Sequence, residues 1–240
     1  MGKERIIAAL DVDTEEKAAE LVRKLAGEVG AFKVGLELFN SVGPDVFRTL
    51  KSAGADRIFY DAKFHDIPNT VAGAVRAAVR MGVWMVNVHC FGGREMMKAA
   101  AGAAKDEASK LGVERPKVIG VTVLTSIDTM TLAEELRVAD TVVNEVVHLA
   151  QIAKSSGLDG VVASAHEIDI VRRVCGPSFL IVTPGVRPRG ADAADQKRVM
   201  TPSEAARAGA DYLVVGRPIT RAEDPAAAAR AIAAEVESVL

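Results

Sequence analysis

Short apolar runs rich in β-branched residues recur along the chain at fairly even intervals. The runs read RIIAAL, FKVGL, RIFYDA, MVNVH, KVIGVTVL, GVVAS, FLIVT and YLVVG. Each is too short for a helix and is apolar at consecutive positions, which is typical of a strand that is buried on both faces. Longer, alanine-rich amphipathic stretches such as EEKAAELVRKLAGE lie between them and predict helices. The pattern therefore indicates strand and helix in alternation.

Helix-start signals fall in the gaps between the apolar runs. Asp13 with Glu16, and Thr201 with Glu204, have the spacing of a capping box or of its aspartate equivalent. Pro202 lies where the first turn of a helix accepts a proline. These signals predict one helix that begins just after Asp13 and another that begins just after Thr201.

The number of strand and helix units indicates the fold. There are about eight such units, in about the length of a (β/α)8 barrel. A doubly wound sheet has fewer strands and normally starts with a glycine-rich turn, whereas the first turn here reads LDVDTEE. No low-complexity linker suggests a second domain. We therefore expect an α/β protein in which residues 1–240 form a single (β/α)8 TIM barrel domain.

Polar residues and glycines collect where the predicted strands end. The active sites of such barrels lie on the face where the carboxyl ends of the strands converge. The residues at those ends are Asp11, Lys33, Asp61, Lys63, Thr125, Pro184, Gly185, Gly216 and Arg217. So many polar groups in one small space favour a functional site over a purely structural rim.

The stretch DAKFHDIPNT follows the apolar run IFY and carries the densest charge. Asp61 and Lys63 are two residues apart on an extended segment, so we expect their side chains to point the same way and to pair with Lys33 and Asp66. A carboxylate about 4 Å from an ammonium contributes about 4 kcal/mol at an effective dielectric of about 20, which would keep Lys63 protonated. A protonated lysine can donate a proton and stabilise developing negative charge. The spacing alone also permits a structural ion-pair network.

Two late segments are candidates for binding a phosphate group. TPGVRPRG places Arg187 after the seventh run, and VVGRP places Gly216 and Arg217 after the last. Barrels often form a phosphate site from the loops after these two strands, and arginine makes charge-assisted contacts there. We expect 187–198, which includes Gln196, to be a mobile loop that closes over a ligand. Two exposed arginines beside ordinary turns are the alternative.

Composition narrows the class of protein. The 240 residues carry a net charge of −2, so no overall field attracts nucleic acid or an anionic membrane. No apolar stretch reaches the roughly 20 residues of a membrane span, and the apolar run near the start is too short for a signal peptide. Cys90 and Cys175 form no CxxC pair, which indicates two reduced, buried thiols rather than a zinc site or a disulfide. We expect a soluble, cytoplasmic protein without nucleic-acid or membrane partners.

Several of these segments together resemble one family. From near residue 6 to about residue 220, the chain resembles the orotidine 5′-phosphate decarboxylases through ALDVD, FKVGLELF, DAKFHDIPNT, VTVLTS, TPGVRP, DQKRVMTP and YLVVGRPI. The D-x-K-x-x-D-I-P-N-T block is highly specific. The resemblance implies decarboxylation of orotidine 5′-phosphate to uridine 5′-phosphate in de novo pyrimidine biosynthesis, with no cofactor and no metal.

The resemblance also implies a role for each candidate residue. Lys63 is expected to protonate C6 of the pyrimidine, Asp61 to face the substrate carboxylate, and Lys33 to orient Asp61 and touch the ribose. Asp66 and Thr70 are expected to reach into the neighbouring subunit's site, which makes the working unit a homodimer with shared active sites. The other implied substrate-binding residues are Asp11 for the ribose, Ile67, Thr125 for the pyrimidine, and Arg187, Gln196, Gly216 and Arg217 for the phosphate.

Two alternatives to this function remain at this point. The 3-keto-L-gulonate 6-phosphate decarboxylases and hexulose-phosphate synthases share the D-x-K-x-x-D block, but they bind magnesium and use a carboxylate where this chain has Lys33. That lysine argues against them. The second alternative is a non-catalytic barrel that senses or carries a phosphorylated nucleotide, which would bind its ligand without turnover.

Overall fold

The computed structural model describes residues 1–188 and 200–240. Within them, eight parallel strands close into a barrel in sequence order, and β8 pairs with β1. The strands are β1 (Ile6–Ala9), β2 (Ala31–Val34), β3 (Ile58–Phe64), β4 (Met85–His89), β5 (Lys117–Val121), β6 (Gly160–Val162), β7 (Leu180–Pro184) and β8 (Tyr212–Val215). Each falls on one of the predicted runs, so the (β/α)8 TIM barrel is confirmed. That residues 1–240 form a single domain stays a prediction.

The helices of the described residues surround the barrel. They are α1 (Glu15–Leu25), α2 (Leu36–Val42), α3 (Val46–Ser52), α4 (Pro68–Arg80), α5 (Gly93–Leu111), α6 (Thr129–Glu134), α7 (Val142–Ser155), α8 (Ile168–Cys175), α9 (Pro202–Ala208), α10 (Arg217–Thr220) and α11 (Pro225–Glu237). Short 3-10 helices lie at Gly2–Arg5, Cys90–Gly92 and Ala165–Glu167. None of the helices described is long and apolar enough to cross a membrane.

One predicted helix start is confirmed and the other is wrong by one residue. At α9, the Thr201 hydroxyl accepts from the Glu204 backbone and the Glu204 carboxylate accepts from Thr201, which is a complete capping box. At α1 the cap is Thr14, whose hydroxyl accepts from the backbone of Lys17. Asp13 instead pairs with the Lys17 ammonium at 2.7 Å. Aspartate and threonine are both favourable N-cap residues, so the sequence alone does not show which of the two neighbours caps the helix.

Alternation along the strands separates the barrel interior from its outer layer. Residues such as Ile6, Ala8 and Leu10 point outwards and pack under the helices. The opposite face fills the inside of the barrel with a second buried cluster: Ile7, Ala9, Ala31, Phe59, Met85, Ile119, Val182 and Val214. Two residues further along each strand, the same face reaches the barrel mouth. Polar residues that come two positions after a member of this cluster therefore lie at the mouth of the barrel.

Strand β3 is irregular where it reaches the mouth. Tyr60 pairs with Val86 and Phe64 pairs with Val88, so three residues of β3 lie opposite one residue of β4. Lys63, inside this bulge, has a φ of 51°, which is rare for a residue other than glycine. The sequence predicted a plain extended segment here, so the structure corrects that prediction.

Candidate active site

A cavity of about 300 Å³ opens at the carboxyl ends of the strands. This volume suits a small-molecule ligand. The cavity lining brings together the following predicted residues: Asp11, Lys33, Asp61, Lys63, Thr125, Arg187, Gly216 and Arg217. Residues as far apart in the chain as Asp11 and Arg217 therefore share one space, because the barrel gathers its strand ends there.

Alternating charges form a chain across one side of the cavity. Nζ of Lys63 lies 2.8 Å from Oδ1 of Asp61, and Nζ of Lys33 lies 3.4 Å from Oδ2 of the same carboxylate. Lys33 also contacts Oδ1 of Asp11 at 3.1 Å. The side chains of Lys33 and Asp61 are only 12% and 14% exposed, so solvent screens their contact weakly. We call Asp11, Lys33, Asp61 and Lys63 the charged array.

The Asp61 carboxyl is held in its ionised form. Burial raises its pKa, but the charges of Lys33 and Lys63, together with hydrogen bonds from Lys63 and Asn87, outweigh burial. The net result is a pKa below the usual value for aspartate. At neutral pH the array therefore presents a fixed negative charge between two lysine side chains.

Asn87 is a part of the site that the sequence analysis missed. It is completely buried on β4, its Nδ2 donates to Oδ1 of Asp61 at 2.7 Å, and its Oδ1 accepts from the backbone of Lys63 at 2.7 Å. The available signal was the single amide in the apolar run MVNVH, two residues beyond Met85 on the face that points into the barrel.

The part of the cavity that follows β7 and β8 carries the arginines. Arg187 is 6% exposed and is tied to its surroundings by bonds from its backbone to Met200 and from Nη1 to Val186, both at 3.0 Å. Gly216 precedes Arg217, the first residue of α10. The alternative of two exposed arginines is thus wrong for Arg187. Gln196 and most of the predicted loop lie outside the described residues.

Three predicted residues lie away from this cavity. Asp66, Ile67 and Thr70 are exposed at the start of α4, and the Asp66 carboxylate accepts from the backbone of Ile67 at 2.6 Å. The expected pairing of Asp66 with the lysines is therefore not formed within this chain. The second carboxylate of the charged array is Asp11, which pairs with Lys33.

Two histidines lie beside the charged array. The ring of the exposed His65 stacks on that of His89, with 5.3 Å between the ring centres. Burial, then the neighbouring charges of His65 and Lys63, lowers the pKa of His89 to about 4. His89 is therefore neutral at pH 7 and adds no charge to the site.

The fold and the site together define a class: an enzyme of the (β/α)8-barrel type, with paired lysines and carboxylates at the mouth of the barrel. Comparison with known proteins narrows this class. The profile of the family described as "Orotidine 5'-phosphate decarboxylase / HUMPS family" matches residues 4–232, and the chain belongs to that family. Its activity is that of an orotidine 5′-phosphate decarboxylase, a carboxy-lyase of pyrimidine biosynthesis.

Individual relatives are similar to this chain in sequence and in structure. The chain is 56% identical to the orotidine 5′-phosphate decarboxylase of Moorella thermoacetica over 238 residues, which is 99% of this chain and 94% of the relative. It is 50% identical to that of Syntrophomonas wolfei, over 98% of this chain and 99% of the relative. The crystal structure of the Lactobacillus acidophilus enzyme superimposes with a TM-score of 0.85 at 39% identity, covering 96% of this chain and 98% of that one.

Proposed function

We propose that Lys63 is the proton donor when the chain decarboxylates orotidine 5′-phosphate in the cavity at the barrel mouth. The observation that carries this proposal is the 2.8 Å contact between Lys63 and the ionised Asp61 within the cavity lining. The contact supplies an ammonium group with a fixed position and a counter-charge. The charged array thus combines a proton source with an anion in one small space.

The reaction needs a proton at one carbon atom. As the bond between C6 and the carboxylate breaks, carbon dioxide leaves and the electron pair stays on C6, in the plane of the ring. The Lys63 ammonium transfers a proton to C6, which gives uridine 5′-phosphate. The neutral amine then takes a proton from water and returns to its starting state. No other group has to gain or lose electrons.

Asp61 supports this step through its charge. Bound substrate places its own carboxylate beside Asp61, and the repulsion between the two ends when carbon dioxide leaves. The low pKa of Asp61 keeps this carboxylate ionised at neutral pH. Lys33, 3.4 Å from Asp61, orients it and limits its movement.

The remaining lining residues hold the rest of the substrate. Asp11 and Lys33 face the ribose, and Thr125 faces the pyrimidine. The phosphate lies at the arginine side of the cavity, and the contacts proposed for it come from Arg187, Gln196, Gly216 and Arg217. Binding energy from this distant group can then stabilise the transition state at C6.

The donor set at the array does not fit a divalent metal ion. The Lys33 ammonium lies 3.1 Å from Asp11 and 3.4 Å from Asp61, where a cation would need these oxygens. In residues 1–188 and 200–240, no group of three or more His, Cys, Asp and Glu side chains could hold a metal. We expect turnover to persist in excess EDTA; its loss would favour the magnesium-dependent alternative.

The direct test follows the orotate absorbance after mixing the protein with orotidine 5′-phosphate. The absorbance should fall with the native chain and stay constant with Lys63→Ala, because C6 then lacks its proton donor. Lys17→Ala is the matched control, since this lysine also pairs with an aspartate but lies on the surface. Turnover by Lys63→Ala near the native rate would contradict the assignment.

We further propose that the working unit is a homodimer in which Asp66 and Thr70 enter the partner's cavity. Both are exposed outside their own cavity, and Ile67 between them is 67% exposed. Light scattering should give the mass of two chains. Mixing Lys63→Ala with Asp66→Ala after co-refolding should restore about a quarter of native turnover, since one site in each mixed dimer is intact. A monomer, or no restoration, would contradict the shared site.

The remaining expectations from the sequence stay predictions. They are the cytoplasmic location and the lack of nucleic-acid or membrane partners.

A further inference from the structure

We propose that Asn87 is a positioning residue of the reaction, which fixes the Asp61 carboxylate and the backbone of Lys63 relative to each other. The proposal rests on the role given above to Lys63 and adds a residue that does not touch the substrate. One completely buried amide joins the two groups on which proton transfer depends.

The chemistry of the two hydrogen bonds fixes the orientation of the Asn87 amide. An ionised carboxylate only accepts and a backbone N–H only donates. The Nδ2 group must therefore face Asp61, and Oδ1 must face the nitrogen of Lys63, at 2.7 Å each. A flipped amide would lose both bonds at once, so Asn87 has a single stable orientation.

The bulge in β3 explains why an amide is needed at this position. Regular pairing between β3 and β4 stops at Tyr60 and resumes at Phe64. The backbone N–H of Lys63 bonds to the side chain of Asn87 instead of to the backbone of β4. Asn87 thus replaces a strand-to-strand bond at the point where the chain turns into its rare left-handed conformation.

A purely structural role for Asn87 predicts a different result from a positioning role. If the amide only completes the sheet, its loss lowers stability and leaves the reaction of the folded enzyme intact. If it positions the array, its loss moves the ammonium away from C6. The ribose and phosphate contacts come from other strands, so substrate affinity then stays while the turnover number falls.

The first test is Asn87→Leu, which removes both hydrogen bonds and keeps a side chain in the space. We expect kcat to fall on the order of 100-fold, as for a reacting group displaced by about 1 Å, with KM nearly unchanged. The affinity for uridine 5′-monophosphate should also stay near the native value. Thr122→Val is the matched control, because this equally buried threonine bonds only to the backbone of β6. It should keep the native kcat.

The second test is Asn87→Asp, which has nearly the same shape and guards against a failure of the first variant to fold. It places a second carboxylate against Asp61, so one of the two holds a proton to higher pH. The other charges that face Asp61 are Lys33 from β2 and Lys63 from β3, and both are retained. The acidic limb of the kcat profile should therefore move to higher pH than in the native enzyme.

Either of two results overturns the proposal: a native kcat in folded Asn87→Leu, or an acidic limb in Asn87→Asp that coincides with the native one. These failures are separable from failure of the proposed function. If Lys63→Ala is inactive while the Asn87 variants are fully active, only the positioning role is wrong. If Lys63→Ala itself is active, the assignment of the proton donor is wrong.

Discussion

Replacing Asp61 by asparagine tests whether the charged array contributes to the free energy of unfolding as well as to turnover. The substitution keeps the shape of the side chain and an oxygen for the amide of Asn87, but it removes the negative charge. Lys33 and Lys63 then lose the carboxylate that they share. We expect Asp61→Asn to lower both turnover and the free energy of unfolding at neutral pH.

The size of the stability loss follows from distance and burial. At an effective dielectric of about 20, contacts of 2.8 and 3.4 Å correspond to about 6 and about 5 kcal/mol of Coulomb energy. The desolvation of the charges offsets much of this, and breaking a buried pair costs about 3–5 kcal/mol in practice. Lys63 is partly exposed and Lys33 keeps Asp11, so we expect the lower end, about 3 kcal/mol.

The pH dependence of the stability difference tests whether loss of the Asp61 carboxylate charge causes it. A group whose pKa is lowered in the folded state adds stability above its unfolded pKa, about 3.9 for aspartate, and loses it as the pH falls through the folded value. The difference between native and Asp61→Asn should be constant above about pH 5 and shrink at lower pH.

The assay is urea unfolding followed by circular dichroism at one protein concentration, at pH 7, 5 and 3. With a slope of about 3 kcal/mol per molar, the midpoint at pH 7 should fall by about 1 M. Asp13→Asn is the control, because Asp13 pairs with Lys17 at 2.7 Å on the surface, where water screens the charges. Its midpoint should not move. An Asp61→Asn midpoint as high as that of the control would refute the reasoning.

Three further predictions concern single residues. Arg217→Ala should weaken binding of uridine 5′-monophosphate on the order of tenfold to a hundredfold, because a charged hydrogen bond to the phosphate is lost; titration calorimetry measures this, and an unchanged Kd contradicts the phosphate assignment. Gly35→Ala should lower kcat, since the new Cβ would lie 2.8 Å from the Lys33 ammonium and displace it; steady-state kinetics measures this, and a native kcat would contradict it. Burial raises the pKa of the Cys90 thiol to about 12, so iodoacetamide at pH 8 should label it only after unfolding, as mass spectrometry can show; rapid labelling of native protein contradicts its burial.

The sequence predicted the barrel well because its strands carry a strong local signal. The run MVNVH coincides with β4, and the other runs contain their strands to within a few residues. A strand buried on both faces must be apolar at successive positions, and this requirement can be seen without any tertiary information. The cap of α1 was missed because Asp13 and Thr14 are equally suitable in sequence.

The site was predicted only in part, because some of its geometry depends on contacts between strands. The ends of the strands pointed to Lys33, Asp61 and Lys63, and the structure pairs them. The left-handed backbone of Lys63 is hydrogen-bonded to Asn87, 24 residues further along the chain, which no local pattern connects to it. Asp66 was expected in the array from its spacing, but the chain turns after Phe64 into α4 and directs it elsewhere.

The pairing of β8 with β1 joins residues as distant as Ile6 and Leu213. Contacts across such a long loop of chain form slowly, because closing the loop reduces chain entropy before the contacts compensate for it. Lys63 lies near the carboxyl end of β3, whereas Arg187 and Arg217 follow β7 and β8, so the complete cavity forms only after β8 has paired with β1. We therefore expect the recovery of turnover during renaturation to report the joining of the two ends of the chain, whereas circular dichroism is also sensitive to helices, whose contacts are local.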